Sequence, residues 1–261
     1  MQDIQPELLA VESVPYQVTR IIEVMREGST GARLCECHDG QLYVVKTLDE
    51  VTPRQLIAEW VCSHLAQAFG LMTPECRLVE GIPELMRLQG SHSFWDDDTV
   101  GFASRFHGNT MAVNMAMARA TPSKLKTDIL VFDVWIKNGD RTLSDLGGNV
   151  NLLFDTASAP PFVVFDHNLA LLPEEEDIKI RSNHVFSGDN AGISLNDIAT
   201  QDEYIERMVQ AMSQLPQVIA AIPPHWREEA NSQLGGGDII DDVVMPLLGR
   251  FENHFWRWIE L

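Results

Sequence analysis

Two short apolar runs in the first fifty residues predict a β-hairpin. The runs Leu34–Cys37 and Leu42–Val45 lie on either side of a polar tetrapeptide that contains Asp39-Gly40. Asp-Gly between strand-like runs favours a tight turn, because both residues tolerate a positive φ. We therefore expect a strand, a turn and a second strand that ends at Lys46.

The next segment has the spacing of a helix. Thr52 is a suitable N-cap, Pro53 suits the first turn and Gly70 suits the C-terminal end. Glu59 lies on the flank of the apolar stripe in this helix. The residues of the stripe recur at intervals of three and four: Ile57, Trp60, Val61, His64, Leu65 and Ala68.

Strand-like segments occur mainly before the middle of the chain, and helical segments occur mainly after it. We expect strands at Glu75–Val79, Glu84–Leu88, Gly101–Phe106, Asn151–Phe154 and Phe162–Phe165, and helices at Leu125–Lys137, Asp202–Leu215, Pro224–Gln233 and Ile239–Ile259. The prediction is an α+β chain. Residues 1–108 would form a β-rich N-terminal lobe with one helix, and residues 109–261 a mainly helical C-terminal lobe.

The charge limits the partners that the chain can bind. Nineteen basic and thirty-eight acidic residues give a net charge of −19. Binding to nucleic acid or to an anionic membrane needs clustered Lys and Arg, so neither partner is expected. The N-terminus has no signal-peptide pattern and no apolar run is long enough to span a bilayer, so we expect a cytoplasmic protein. The four cysteines have no zinc spacing and are expected to be free thiols.

A glycine turn before the hairpin suggests a phosphate site. Gly28, Ser29, Thr30 and Gly31 precede the first strand of the hairpin, and Lys46 ends the second. Backbone N–H groups in such a turn and a lysine nearby can bind phosphate oxygens, although neither a Walker pattern nor a full G-x-G-x-x-G is present. The alternative is a surface turn followed by an exposed lysine.

Carboxylates follow in an order that suits phosphoryl transfer. Glu59 can pair with Lys46, or it can be an ordinary surface glutamate of the helix. Asp140, in a loop after an apolar helix, can orient a hydroxyl and accept its proton. Asn149 and Asp166 offer oxygen ligands for Mg²⁺. The alternatives are an Asn- and Gly-rich turn around Asp140 and a capping role for Asp166.

Three segments around these residues resemble the catalytic and metal-binding loops of HipA-like kinases. They are Ile136-Lys137-Asn138-Gly139-Asp140-Arg141, Asn149-Val150-Asn151-Leu152-Leu153 and Val164-Phe165-Asp166-His167-Asn168-Leu169-Ala170. The run Gly101–Gly108 also resembles the strand that leads to the adenine-binding hinge of that family. The resemblance implies a two-lobed protein-kinase-like fold, with a β-rich N-lobe and a mainly helical C-lobe, that binds ATP and Mg²⁺.

The resemblance also assigns roles to individual residues. It makes Asp140 the catalytic aspartate and Asn149 and Asp166 the metal ligands. It places Lys46 on the phosphates with Glu59 as its partner. The segment at Phe106 and His107 would contact adenine, while the turn Gly28–Gly31 would cover the phosphates.

Two departures from the family pattern leave alternatives open. Thr142 stands where the pattern has a histidine after the Asp-Arg pair. The interval from Asp140 to Asn149 is also longer than usual, so Asn151 or Asp145 could be the ligand instead.

The expected activity is transfer of the γ-phosphate of ATP to a Ser or Thr hydroxyl of a protein, whose surface we expect to be basic. An inhibitory partner protein is also consistent with the family. The alternative from another class is a pseudokinase or acidic interaction module without catalysis, and a small-molecule kinase would share the catalytic residues. Scattered histidines make a metal hydrolase a poorer interpretation. Ser29 or Thr30 is a candidate for an inhibitory phosphorylation, although both residues also favour a turn.

Overall fold

The computed structural model describes residues 11–25, 30–96, 98–143, 147–155, 161–188, 191–253 and 255–257. The first part of the chain contains β1 (Tyr16–Val24), β2 (Arg33–Cys37), β3 (Leu42–Lys46), α1 (Pro53–Ala68), β4 (Cys76–Glu80), α2 (Ile82–Leu88) and β5 (Gly101–Arg105). The second part contains β6 (Thr110–Ala112), α3 (Met115–Ala120), α4 (Ser123–Trp135), β7 (Leu152–Asp155), β8 (Phe162–Val164), α5 (Asp177–Asn183), α6 (Ile198–Ala220), α7 (Pro224–Gln233) and α8 (Met245–Gly249). A π-helical turn, Ile240–Val244, precedes α8, and a 3₁₀ turn, Arg250–Glu252, follows it.

The first five strands form a closed barrel in the order β1-β2-β3-β5-β4. Neighbouring strands are antiparallel except β1 and β4, whose parallel pairing closes the barrel. The predicted hairpin is confirmed as β2 and β3, with Gly40 at φ 73° in the turn. The barrel interior contains a compact apolar cluster that includes Val18, Cys35, Val45 and Ala103. The strands β6, β7 and β8 form a second, antiparallel sheet.

Helix α1 connects the barrel to the helical part of the chain. Its start is fixed by a capping box, in which the side chains of Thr52 and Gln55 bond to each other's backbone N–H groups. The indole Nε1–H of Trp60 on α1 donates a hydrogen bond to Val218 O on α6 at 2.9 Å. One apolar cluster joins side chains of α1, α4 and α6. The division of the chain near residue 108 stays a prediction, since this core contains residues from both sides of it.

The segment Glu84–Leu88 is a helix, so its assignment as a strand is wrong. Gly81 adopts φ 89° and Pro83 occupies the first turn of α2, which is a favourable way to begin a helix. Within five residues, the apolar spacing could not distinguish the two structures.

The expected single helix over Ile239–Ile259 is also wrong in the part that the structure describes. The N–H of Met245 donates to Ile240 O in the π-helical turn, and Pro246 then lies in the first turn of α8. Because proline has no N–H, it suits a new helix start better than a helix interior.

The strand Tyr16–Val24 was not expected from the sequence. Only Val18 and Ile21 of its nine residues are buried, so its apolar periodicity is weak. Within the described ranges, no helix is both long and apolar enough to cross a membrane. The four cysteines are free thiols, as predicted, and three of them are buried.

Candidate functional site

Lys46 lies at the end of β3, where its side chain points to two carboxylates. The residue is only 6% exposed. Its Nζ bonds to Glu59 Oε1, and it bonds to Asp166 Oδ1 at 2.7 Å. Burial by itself disfavours the ammonium, but Glu59 and Asp166 outweigh burial and raise the pKa of Lys46 above its ordinary value. The lysine is therefore a fixed positive charge inside the protein.

Glu59 links this lysine to the segment after β8. The side chain is buried on α1, and its Oε2 accepts a hydrogen bond from His167 N at 2.8 Å. Burial raises the pKa of Glu59, and the ammonium of Lys46 opposes this shift. The prediction that Glu59 pairs with Lys46 agrees with this contact, while the alternative of a surface glutamate does not.

Asp166 is the second residue after the buried strand β8. Its backbone adopts the left-handed conformation, with φ 59°. Such a conformation is uncommon for a residue other than glycine and is typical of constrained functional turns. Burial disfavours the carboxylate, but Lys46 outweighs burial, so the pKa of Asp166 lies below its ordinary value. Asp166 is therefore an ionised carboxylate beside the lysine.

Asp140 lies in the loop after α4, together with two asparagines. Its Oδ2 accepts hydrogen bonds from Asn149 Nδ2 at 2.5 Å and from Asn151 Nδ2 at 3.0 Å. Burial and the nearby charge of Asp166 raise the pKa of Asp140, and the two amides oppose this rise. Phe165 N donates to Asn151 O at 3.3 Å, so Asp140 and Asp166 lie in one site, although 26 positions separate them in the sequence.

The two asparagines differ in their surroundings. Asn151 is 5% exposed and has φ 47°, whereas Asn149 is exposed. The backbone of Asn151 is also fixed, because its carbonyl accepts hydrogen bonds from Arg141 and from Phe165 N. Asp145, the other candidate ligand, lies outside the described residues.

A buried charged network supports this loop and was not identified from the sequence. Asp133 is fully buried on α4, and Arg141 Nε bonds to its Oδ2 at 2.6 Å. His184 Nε2 contacts the same oxygen at 2.9 Å. Burial opposes ionisation of Asp133, but Arg141 and His184 outweigh burial and hold its pKa well below the ordinary range. An acidic residue inside an apolar helix was the available signal, because buried charges need partners.

The remaining candidates are not shown in contact with Lys46. Gly28 and Ser29 lie outside the described residues. Gly31 adopts φ 66° in the turn before β2, where glycine is favoured over other residues. The N–H of Phe106 donates to Leu42 O at 2.8 Å, which continues the β3–β5 pairing. His107 Nδ1 lies 3.7 Å from Asp155 Oδ2.

Oxygen ligands at this site suit Mg²⁺ more than a transition metal. Across the part of the chain that the structure describes, no three His, Cys, Asp or Glu side chains form a metal-binding group. The site instead offers the carboxylate of Asp166 and the carboxamides of Asn149 and Asn151. Mg²⁺ prefers oxygen ligands and usually takes only one or two carboxylates when phosphate oxygens are also available. The residues present therefore fit Mg²⁺.

Comparison with known proteins gives a family and several distant structural similarities. The search of curated proteins found no match. Among solved structures, the chain is similar to the Helicobacter pylori proinflammatory kinase CtkA at 15% identity, over 89% of this chain and 96% of that chain, with a TM-score of 0.48. It is also similar to the open conformation of CtTel1 at 12% identity, over 86% of this chain and 11% of that chain, with a TM-score of 0.33. For the MAP kinase LmaMPK10 from Leishmania major, the identity is 10%, over 94% of this chain and 82% of that chain, with a TM-score of 0.27.

A family model described as HipA-like kinase matches residues 18–259. The match includes every described residue of the site, from Lys46 in the barrel to His184 after α5. The chain therefore belongs to the HipA-like kinase family.

Proposed function

We propose that the protein transfers the γ-phosphate of ATP, bound with Mg²⁺, to a Ser or Thr hydroxyl of a protein. The observation that carries this proposal is the contact of Lys46 with both Glu59 and Asp166. A strand lysine, a helix glutamate and a metal-binding aspartate are the parts that position phosphates in protein kinases. The three residues come from β3, α1 and the turn after β8, so no local sequence preference brings them together.

Lys46 would bind the phosphates of ATP, and Glu59 would hold the lysine in place. Asp166, with one of the two asparagines, would hold Mg²⁺, which neutralises negative charge on the phosphates when it is bound. Asn151 is the better candidate, because it is buried and its carbonyl is fixed by Arg141. A buried ligand loses less side-chain entropy on binding a metal than an exposed one.

Asp140 would orient the acceptor hydroxyl and take its proton. In the transfer, the hydroxyl oxygen forms a bond to the γ-phosphorus, and the bond from that phosphorus to the bridging oxygen of ADP breaks. ADP leaves with the electron pair of the broken bond, and the hydroxyl proton passes to the carboxylate of Asp140. The raised pKa of Asp140 suits a group that must accept a proton.

The acceptor is proposed to be a protein with a basic surface, since the chain has a net charge of −19. Opposite net charges increase the rate of encounter and reduce the repulsion between partners. A protein that restrains the kinase would bind by the same electrostatic attraction.

Binding of ATP with and without Mg²⁺ is the first test, on wild type and on Asp166→Asn. A bound ligand raises the melting temperature by mass action. We expect a shift that requires Mg²⁺ in wild type and is lost in the variant. The absence of any ATP-dependent shift in wild type would contradict the proposal and favour a pseudokinase or an interaction module.

Transfer is tested next with γ-labelled ATP and a library of Ser- and Thr-containing peptides. Label should appear on peptides with wild type and be lost with Asp140→Asn, while the Mg²⁺-dependent ATP shift remains. Label found only on an added small alcohol or sugar would instead indicate a small-molecule kinase. Mass spectrometry of the same samples would test phosphorylation at Ser29 or Thr30, and an unmodified Gly28–Arg33 peptide would reject that hypothesis.

A further inference from the structure

His184 is a buried residue that the proposed reaction does not use. It follows α5 and is 2% exposed. Its Nδ1 accepts a hydrogen bond from Phe186 N at 3.1 Å, so the ring proton of the neutral imidazole is assigned to Nε2. Nε2 then donates to Asp133 Oδ2 at 2.9 Å. Both ring nitrogens are therefore used, which fixes the orientation of the ring.

Asp133 contacts the chain on both sides of Asp140. Its Oδ1 accepts from Asn138 Nδ2 at 2.9 Å, and Asn138 Oδ1 accepts from Asp140 N at 3.4 Å. The other carboxylate oxygen, Asp133 Oδ2, accepts a hydrogen bond from Arg141 Nε at 2.6 Å. One fully buried carboxylate thus holds the residues that flank Asp140 in the loop.

Arg141 extends these contacts to the side chain of Asp140. The guanidinium is fully buried, and one of its NH groups bonds to Asn151 O. The amide of Asn151 then donates to Asp140 Oδ2 at 3.0 Å. A continuous set of hydrogen bonds therefore leads from His184 through Asp133 and Arg141 to the carboxylate of Asp140.

The backbone around His184 is joined to the same loop. Thr142 and His184 form an isolated antiparallel bridge, and Val185 N donates to Arg141 O at 3.0 Å. These backbone contacts hold the segment that contains His184 against the loop of Asp140.

We propose that His184 is a positioning residue for Asp140 and acts through Asp133 and Arg141. The proposal rests on the kinase function proposed above. Because His184 and Arg141 share Asp133 Oδ2, loss of the imidazole donor leaves this oxygen bonded to Arg141 alone, and the carboxylate is then free to turn. The flanks of Asp140 would then move, and a misalignment of about 1 Å can cost about a hundredfold in rate.

Two near-isosteric substitutions separate the two hydrogen bonds of the ring. In His184→Gln, the amide nitrogen occupies the place of Nε2 and can still donate to Asp133. In His184→Asn, the amide oxygen occupies the place of Nδ1 and can accept from Phe186 N, but the shorter side chain brings no donor within reach of Asp133. Both variants change the buried volume, so each is studied at a temperature where circular dichroism shows it to be folded.

ADP release from ATP and Mg²⁺ is measured in the presence of the Ser and Thr peptide library. We expect kcat to fall about 10- to 100-fold in His184→Asn and to stay within about threefold of wild type in His184→Gln. The KM for ATP should change less than kcat, since Lys46 and Asp166 lie outside this network and are unchanged. Equal kcat values for the two variants, or a loss that is confined to KM, would overturn the positioning role.

Amide hydrogen exchange at Thr142 gives a measurement that does not depend on turnover. Thr142 N donates to Asp140 O and Asn149 O, both at 2.9 Å, so its protection reports the order of the loop. Exchange should be faster in His184→Asn and near wild type in His184→Gln. If wild type releases no ADP, the kinase function fails, and exchange at Thr142 alone decides whether His184 orders the loop. Equal protection in all three proteins would contradict the proposal.

Discussion

The buried contact between Glu59 and Lys46 can be tested by the substitution Glu59→Gln, which keeps the size of the side chain. In the wild-type protein, one carboxylate oxygen accepts from Lys46 and the other accepts from His167 N. A glutamine offers one acceptor oxygen and one NH₂ donor. The NH₂ group must therefore face either the ammonium or the backbone N–H, and neither can accept a hydrogen bond.

The cost can be approximated from burial. Glu59 is 1% exposed and Lys46 is 6% exposed, so water cannot replace the lost acceptor. A buried donor left without an acceptor costs about 1–3 kcal/mol, and breaking a buried ion pair costs about 3–5 kcal/mol. Lys46 keeps its contact with Asp166 at 2.7 Å, which reduces the loss. We therefore expect a loss of about 2–3 kcal/mol in the free energy of unfolding.

Thermal denaturation followed by circular dichroism measures the loss. For a chain of this size, about 2–4 °C per kcal/mol predicts a decrease in Tm of about 4–12 °C. The kcat/KM for ATP should fall about a hundredfold, because the lysine is no longer held in position for the phosphates. Glu84→Gln is a matched control, since Glu84 is exposed on α2 and should change neither quantity by a measurable amount.

The outcome that refutes this reasoning is a Glu59→Gln protein with the Tm and kcat/KM of the control. That result would show that the pair contributes neither to the stability of the site nor to the position of Lys46. A decrease in Tm with unchanged kcat/KM would limit Glu59 to a structural role.

Three further predictions concern the asparagines, the loop and pH. Asn151→Ala should weaken Mg²⁺-dependent ATP binding, measured by titration calorimetry, at least about tenfold more than Asn149→Ala. A larger loss of affinity in Asn149→Ala would reject Asn151 as the ligand. In Gly148→Ala, a Cβ would lie 2.4 Å from Thr142 O, so the loop must shift. We expect turnover in the ADP-release assay to fall about a hundredfold. Unchanged turnover would show that the position of the loop is not critical. Burial lowers the pKa of His167 to about 3. Below about pH 6.5, the imidazole of His167 therefore binds a proton in the unfolded chain but not in the folded chain. The free energy of unfolding decreases as the pH falls, by up to about 1.4 kcal/mol per pH unit. Urea denaturation from pH 7 to pH 4 should show a smaller decrease in His167→Leu, and equal slopes would contradict the assignment of a buried neutral ring.

Local chemistry explains which elements could be predicted. The hairpin of β2 and β3 depends on Asp39-Gly40, whose preference for positive φ does not need the rest of the chain. The helix α1 depends on Thr52 and Pro53, which define its start from neighbouring backbone groups. The segment Glu84–Leu88 was wrongly predicted because its few residues suit either a strand or a helix, and only its surroundings select one.

The residue types and order of the site were also contained in the sequence, but their contacts were not. Lys46 and Asp166 are 120 positions apart, and they meet because the barrel and the sheet of β6–β8 are both packed around α1 and its neighbours. The roles of Asp133 and His184 depend on burial, which a single sequence does not show. The sequence by itself determined the turns, the helix starts and the candidate chemistry, since these depend on neighbouring residues. Tertiary packing decided which charges are buried together, because that depends on contacts between segments that are distant in the chain.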